Sequence, residues 1–386
     1  MDQPQRGKKC EAHGVAPEVQ AQCHQANLTN PNSGSCLSLS SPLYSDLYMN
    51  HNPTKLTQLQ NLLSTIPQAN YPVTSRVHPL RSFNTPQCTC YTKREDELGF
   101  GLSGSKIRKY RSLIPHLLAN NISEVVVAGS AFSNNVLGAT QLLIENDIKA
   151  TLFLKGAPQK PMGNALLIQL LVNPSAIHWV PNQDWIHLEQ RVSEYISSTN
   201  SHTHTPIFYL SEGASVAEAL PGALTLPLDI LKNETDLTLT FDHIFLDVGT
   251  GLTAIALLLG YAWMEKTTHI HLLLLADSPE IFRKELLYFH EKFEQLLQST
   301  CPFPEHFTLH TPQTAASFGS TNKSIFNEIR AIAKQEGFFT DPIYSGKLFL
   351  ESRRILQEKG LVGKALLIHT GGCITLAGFQ EQLLLT

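Results

Sequence analysis

The chain has 386 residues, 42% hydrophobic and 16% charged, with a formal net charge of −4 at pH 7. That is the make-up of a globular protein with core enough for two domains, and with no long basic block it points away from nucleic acid as a partner. The longest apolar run, Ile255 to Met264, is too short to span a bilayer, so no membrane association is expected. A basic-then-apolar leader is missing from the start, and seven cysteines, an odd number, favour reduced thiols, so a cytoplasmic location is expected.

The first 45 or so residues are rich in Gln, Ser, Asn, Pro and Gly with little apolar periodicity, and they are expected to be a disordered extension. Cys10, Cys23 and Cys36 recur there every thirteen residues, with His13 and His24 nearby. The close cysteine pairs of zinc modules are missing, so chance spacing is the preferred reading and no metal is expected. Cys88 and Cys90 flank a single Thr at a strand edge and are assigned no chemistry.

From about residue 80, β-rich runs alternate with helical patterns. Strands are predicted at Cys88–Lys93, Glu124–Ala128, Ala150–Leu154, Ile177–Val180, Ile207–Leu210, His243–Asp247, His269–Ala276, Phe307–His310 and Lys364–His369. Helices are predicted at Asn134–Glu145, Gly163–Leu171, Asp184–Ser198, Thr253–Met264, Pro279–Leu297, Asn322–Gln335 and Tyr344–Glu358. Such alternation builds an α/β protein with parallel sheets covered on both faces, and the apolar run Val125-Val126-Val127 suits a strand buried on both sides. In such sheets the chemistry gathers at the carboxyl ends of the strands.

Five segments at those ends carry chemistry. In Gly101-Leu-Ser-Gly-Ser-Lys-Ile-Arg-Lys-Tyr110 a small-residue turn runs into an amphipathic helix with Ile107, Tyr110, Ile114, Leu117 and Leu118 at its apolar spacing. Lys106 shares a face with Tyr110, Leu113 and Leu117, so its ammonium is turned toward the fold, where desolvation lowers its pKa. A neutral amine is what a lysine needs to form a Schiff base with a carbonyl or with pyridoxal phosphate. On its own, the stretch holding Lys106, Arg108 and Lys109 reads more readily as the solvated start of a helix.

In Ala128-Gly-Ser-Ala-Phe-Ser-Asn-Asn135, Ser133 and Asn134 would cap the next helix at an anion-receptive end. In Leu246-Asp-Val-Gly-Thr-Gly-Leu-Thr-Ala254, Gly249 and Gly251 let the backbone curl close to a ligand while Thr250 and Thr253 offer hydroxyls, which makes a phosphate cradle. The same turn fits a loose dinucleotide fingerprint through Gly249-x-Gly251-x-x-Ala254. Its Asp247-x-Gly249-x-Gly251 also resembles the first motif of S-adenosylmethionine-dependent methyltransferases, although Thr253 replaces the third glycine and the acidic partner could only be Asp277. Three cofactors stay open on this turn alone. Finally, Asp341-Pro-Ile-Tyr-Ser-Gly-Lys347 opens a helix at Tyr344, and Ile368-His-Thr-Gly-Gly372 ends a strand at Thr370 beside glycines that admit a flat ligand.

Together and in this order, Tyr91-Thr-Lys-Arg-Glu-Asp96, Leu102-Ser-Gly-Ser-Lys-Ile-Arg-Lys109, Ser133-Asn134, Gly249-Thr-Gly-Leu-Thr253, Tyr344-Ser-Gly-Lys347 and His369-Thr-Gly-Gly372 resemble the D-cysteine desulfhydrase and 1-aminocyclopropane-1-carboxylate deaminase family. That family belongs to the tryptophan-synthase-β-like, or fold type II, pyridoxal-phosphate enzymes, and the likeness runs over roughly residues 71 to 386. The resemblance implies two α/β domains, each an open, mostly parallel sheet flanked by helices. The smaller would be residues 105–205, inserted into a larger one of 46–104 and 206–386, after an extension of 1–45. It implies pyridoxal 5′-phosphate in the cleft between them, a small amino-acid substrate and a homodimer.

Roles follow by the same likeness. Lys106 corresponds to the Schiff-base lysine and to the acid/base at the substrate Cα. Asn134 would hydrogen-bond the cofactor's phenolic oxygen, and Ser133 would meet the substrate carboxylate. Gly249, Thr250, Gly251, Leu252 and Thr253 would hold the phosphate. Tyr344 would lie by the ring as an acid/base, and Thr370 would approach the pyridine nitrogen, where a hydroxyl in place of a carboxylate tempers the electron sink.

The chain departs from the family at several places. Ser345 stands where the deaminase branch has an acid after the tyrosine, which favours β-elimination over opening a cyclopropane ring. Gly104-Ser105 replaces Gly-Asn before the lysine, Phe132 and Asn135 replace the Gln and His around the Ser-Asn pair, and Phe318 stands in place of a second tyrosine. The expected function is a pyridoxal-phosphate-dependent lyase of D-cysteine desulfhydrase type, releasing pyruvate, ammonia and sulfide. The alternatives are deaminase-like activity, a catalytically reduced protein that binds the cofactor and, more distantly, a methyltransferase.

Overall fold

The computed structural model describes residues 51–386 apart from 102–103, 159, 204–205 and 385–386. All of these lie in one compact unit, Tyr44–Thr386. The N-terminal extension, with Cys10, Cys23 and Cys36 and the disorder expected of it, lies outside the described residues.

Helix α1 (Pro53–Thr65) starts where the Asn52 side chain accepts from the N–H groups of Thr54 and Lys55 and Pro53 presets the first turn. The short β1 (Val77–Pro79) pairs antiparallel with β2 (Cys88–Lys93), and α2 (Ile107–Ala119) follows after two 3-10 turns. Next come β3 (Glu124–Ser130), α3 (Asn134–Glu145), β4 (Lys149–Lys155), α4 (Asn164–Leu171), β5 (Ile177–Val180), α5 (Leu188–Thr203) and β6 (Ile207–Leu210). These four strands form a parallel sheet in the order β5-β4-β3-β6.

The chain returns through α6 (Leu220–Ala223), α7 (Thr225–Asp236), β7 (His243–Val248), α8 (Leu252–Trp263), β8 (His269–Leu274), α9 (Pro279–Leu297) and β9 (Phe307–His310). It ends with α10 (Lys323–Glu336), α11 (Ser345–Glu358), β10 (Gly363–Ile368) and α12 (Gln380–Leu384). Their sheet has six strands in the order β1-β2-β10-β7-β8-β9, parallel except at β1–β2. This is an α/β fold of two open, mostly parallel sheets flanked by helices. The two sheets support the division into an inserted and a larger domain, which we propose with one adjustment. Because β6 pairs with β3, the smaller domain runs to about Leu210 instead of stopping at 205.

The core explains the strand patterns. Val125 and Val127 of β3 join the main apolar cluster with α2 and α3, while Val126 and Ala128 face the other way, onto Leu188 and Val192 of α5. Helix α8 is buried nearly all round, which is why its sequence is apolar throughout and lacks a polar stripe. Leu118 departs from its expected place in the α2 stripe and is 49% exposed. No helix among the described residues is long and apolar enough to cross a membrane.

Candidate active site

Loops at the carboxyl ends of β2, β3, β7 and β10 converge on a cavity of about 770 Å³, a size suited to a cofactor with a small substrate. Of the residues singled out by sequence, Lys106, Ser133, Asn134, Tyr344 and Thr370 line it, as do Gly249, Thr250, Gly251 and Thr253. Leu252 does not. It is the first residue of α8 and its side chain is fully buried in the core, so only its backbone faces the turn.

Lys106 is delivered by close backbone packing. Gly104 has φ +52 and presses on the C-terminal loop so tightly that a β-carbon there would stand 2.2 Å from the Thr370 carbonyl oxygen. The adjacent Ser105 N–H donates to that carbonyl at 2.9 Å. The Lys106 ammonium then sits 5.9 Å from the centre of the Tyr344 ring. Burial lowers its pKa, with Asp247 and Asp341 opposing the shift from a distance. No hydrogen-bond acceptor holds the amine among the described residues.

The Gly249–Thr253 turn leads into α8, whose N-terminal cap, Gly251 at φ +95, leaves the first-turn amides without a side-chain acceptor. Such amides and the helix dipole suit a phosphate. A cation stands beside them. Lys109, one turn after Lys106, is buried and donates to the Gly213 carbonyl at 2.7 Å, and it too lines the cavity. Burial, reinforced by the like charge of Lys106, lowers its pKa to about 7.

At the opposite wall, Ser133 caps α3 by accepting from the N–H groups of Asn135 and Val136 at 3.1 and 3.3 Å. Its own hydroxyl hydrogen is left for a ligand. Asn134 Oδ1 accepts from Asn164 Nδ2 at 2.8 Å and from Thr375 Oγ1 at 2.9 Å, so its orientation is fixed and its Nδ2 donor is spare. Asn164 and Thr375, both cavity residues, went unnoticed in the sequence because neither sits in a motif.

Two buried carboxylates shape the inner end. Asp341 accepts from the N–H groups of Ile343 and Tyr344 at 2.8 Å each and from the Ser345 N–H and hydroxyl at 2.9 and 2.7 Å. Ser345 therefore turns away to brace the start of α11. Asp247 lines the cavity and accepts the Thr370 hydroxyl at 2.8 Å. Burial pushes its pKa up to about 7. Burial, then Asp341 and Asp247, also raises the Tyr344 phenol, which therefore keeps its proton at neutral pH.

The departures from the family pattern cluster at the cavity. Phe318 and Phe132 line it at 55% and 45% exposure, and Phe318 meets Tyr344 edge-on with ring centres 6.0 Å apart. Asn135 is buried and accepts from the Tyr110 hydroxyl at 3.2 Å. Among the described residues no group of three or more histidines, cysteines or carboxylates is placed to hold a metal ion.

No protein-family model matches the chain. A 1-aminocyclopropane-1-carboxylate deaminase from Rhizobium radiobacter is 25% identical over 302 residues, covering 75% of this chain and 88% of that protein. A D-cysteine desulfhydrase from Yersinia enterocolitica is 25% identical over 304 residues, covering 76% of this chain and 89% of that one. The crystal structure of a 1-aminocyclopropane-1-carboxylate deaminase homologue superposes with a TM-score of 0.75 at 22% identity, covering 85% of this chain and 98% of that one. That of Escherichia coli diaminopropionate ammonia lyase gives 0.56 at 13% identity, covering 87% and 92%.

The fold is that of the fold type II pyridoxal-phosphate enzymes, and the proteins it resembles in sequence are lyases of that class. In sequence the chain is similar to 1-aminocyclopropane-1-carboxylate deaminases and to D-cysteine desulfhydrase. The methyltransferase reading of the Asp247–Gly251 stretch is thereby overturned, since the likeness extends over the whole α/β unit and not over one glycine turn.

The cavity also fits the cofactor on its own terms. It offers a buried amine without an acceptor, a spare amide donor on Asn134, and a free helix N-terminus with a cation beside it.

Proposed function

We propose that this protein removes ammonia from a small amino acid with pyridoxal phosphate, with β-elimination from D-cysteine as the leading reaction and pyruvate, ammonia and sulfide as the products. The observation that carries the reading is Lys106, a desolvated lysine whose amine has no hydrogen-bond acceptor among the described residues, in a cavity that also holds a free helix N-terminus. When bound, the cofactor supplies an electron sink that acidifies the substrate Cα–H.

The remaining work belongs to the chain. Lys106 Nζ would hold the cofactor and would also be the base placed to take the Cα proton. Burial lowers its pKa and so favours the neutral, basic form of the amine. The amides opening α8, with Lys109, hold the phosphate, and Asn134 Nδ2 donates to the phenolic oxygen. Ser133, with its hydrogen free, and the N-terminus of α3 receive the substrate carboxylate. Tyr344, kept protonated by burial, donates a proton to the departing sulfur. Phe132 and Phe318 reduce water access at the mouth.

A second reading, 1-aminocyclopropane-1-carboxylate deamination, draws on one observation: Asp247 lies directly behind Thr370 and brings a carboxylate to a wall where the sequence showed only a hydroxyl. We further propose a cytoplasmic homodimer, following the family likeness.

The test is to load the purified protein with pyridoxal phosphate, reduce with borohydride and map the modified peptide, then assay pyruvate from D-cysteine. Modification of Lys106 and loss of pyruvate release in Lys106→Ala are expected. Label scattered over surface lysines, or substantial turnover by Lys106→Ala, would sink the reading. Keto-acid release from the cyclopropane substrate and not from D-cysteine would select the second reaction.

A further inference from the structure

Asp247 has no task in the roles given so far, yet its placement is specific. Thr370 has one hydroxyl hydrogen and gives it to Asp247 Oδ1 at 2.8 Å. A hydroxyl that has donated its hydrogen presents only lone pairs to anything else it meets. Thr370 therefore faces the cavity as an acceptor. The carboxylate behind it is 8% exposed, and the titratable groups that face it are Lys106, Asp341 and Tyr344.

The ring of pyridoxal phosphate has three polar positions besides the carbon that a lysine holds. With the phosphate at the first turn of α8 and the phenolic oxygen at Asn134, the ring nitrogen is left. The family likeness sets Thr370 against that nitrogen, and Thr370 and its partner Asp247 both line the cavity. A neutral pyridine nitrogen against Thr370 would set lone pair against lone pair. A protonated one donates to the Thr370 oxygen, and its charge is balanced by Asp247 across a single hydroxyl.

We propose that Asp247, acting through Thr370, holds the ring nitrogen of bound pyridoxal phosphate in its protonated form. Asp247 is thus a positioning residue that sets the strength of the electron sink. This rests on the cofactor reading above, and it reverses the expectation from sequence that a hydroxyl at this wall tempers the sink. Low dielectric strengthens the charge pair relative to water. The burial that raises the Asp247 pKa is the kind of shift that a nearby cation offsets, and a pyridinium supplies one.

The experiment is nitrogen NMR of the protein loaded with cofactor isotopically labelled at the ring nitrogen, for the wild type, Asp247→Asn, Thr370→Val and Thr370→Ser. The wild type and Thr370→Ser are expected at the resonance position of a protonated pyridine. Asp247→Asn and Thr370→Val are expected to move to that of an unprotonated one.

A wild-type signal already at the unprotonated position overturns the proposal without any variant needing to fold. So does a signal that neither substitution moves. Labelled cofactor fixed by borohydride on Lys106 but carrying an unprotonated nitrogen defeats this inference alone. Cofactor that does not bind, or that is fixed elsewhere, defeats the cofactor reading and this inference with it.

Discussion

Lys109 Nζ donates to the Gly213 carbonyl at 2.7 Å, and Gly213 packs so tightly on Thr250 that a β-carbon there would stand 2.0 Å from Thr250 Oγ1. The cation, the glycine and the cradle threonine are one packed unit. At a pKa of about 7 the lysine is near half-charged, and an incoming phosphate dianion favours its charged form, so cofactor binding takes up a proton there. Lys109→Met is expected to weaken cofactor affinity about 10- to 100-fold, the equivalent of a charge-assisted hydrogen bond of roughly 1.5–3 kcal/mol. Absorbance titration of the apo protein measures this. Wild-type affinity in the variant would remove Lys109 from the cradle.

Gly213 gives a second test of the same unit. Its φ of +69 and the Thr250 contact both oppose a side chain, so Gly213→Ala is expected to cost about 1–3 kcal/mol of stability and to weaken cofactor binding as well. Gly319 is the control. It also lines the cavity and has φ +76, but a β-carbon there would meet nothing within 4 Å. Gly319→Ala should therefore show the conformational cost alone, about 1 kcal/mol, with cofactor affinity unchanged. Equal affinity losses in both would mean that the close contact is irrelevant to the cradle.

Beneath the Lys106 turn lies a charge network that the sequence could not reveal. Arg108 donates to Glu95 through Nε at 2.6 Å and Nη2 at 2.7 Å, and to Asp229 at 2.7 Å, while Lys93 reaches Asp229 at 2.5 Å. All four side chains are at most 3% exposed. Burial by itself would raise the Glu95 pKa, but Arg108, Lys93 and Ser75 together outweigh it and hold the carboxyl below its ordinary value. A depressed carboxyl stabilises the fold above its unfolded pKa, and that contribution is lost as pH falls through the folded value. Arg108→Met leaves two carboxylates to one lysine and is expected to cost about 3–5 kcal/mol in denaturant unfolding. A loss below about 1 kcal/mol would show that the network relaxes without it.

The elements and the cavity were readable because they depend on local pattern. Val125–Val127, the cap at Ser133 and the glycine turn before α8 each declare themselves within a few residues. Helix α7 did not, since Pro227 and Asn233-Glu-Thr-Asp236 blur its period. The supports of the site were invisible for a different reason. Arg108 and Lys109 look like a solvated helix start until Glu95, Asp229 and Gly213 arrive from up to 121 residues away. Asp247 suggested a different cofactor because its partner, Thr370, lies 123 residues on. Leu252 keeps only a backbone place in the turn, since a motif position says nothing about which way a helical side chain points.

Histidines across β7, β8 and β9 set an acid limit on the fold. His271 lies 3.1 Å from His310 and 3.3 Å from His243 through its two ring nitrogens, and it stacks on Phe245. Burial, then the charges that His269, His310 and His243 would carry, lowers its pKa to about 2, and that of His310 falls to about 4. Each is neutral in the fold and takes up a proton on unfolding below about 6.5. Their stabilisation is therefore complete above that pH and drains as pH falls, by at most about 1.4 kcal/mol per pH unit for the buried His271 and by less for His310, whose shift solvent screens. Unfolding free energies at pH 8 and 5.5 should differ accordingly, and His271→Phe should flatten the difference. A wild-type profile without slope over that range would refute the assignment.

Phe318 offers a test of whether the chain is a competent lyase or a reduced one. It stands where the family has a second tyrosine, edge-on to Tyr344 and more than half exposed. At such a site Phe318→Tyr should change stability by no more than about 0.5 kcal/mol, so any kinetic effect is chemical. If a missing hydroxyl limits turnover, restoring it should raise kcat by about tenfold, as one added hydrogen bond of roughly 1–1.5 kcal/mol in the transition state does. KM should move much less, because the gain arises at the reacting atoms. The measurement is pyruvate release from both enantiomers of cysteine by wild type and variant, alongside keto-acid release from the cyclopropane substrate. Robust wild-type turnover with no gain in the variant establishes that Tyr344 suffices as the proton donor and disposes of the reduced-protein alternative. Negligible wild-type turnover that rises in Phe318→Tyr identifies the lost hydroxyl as the cause.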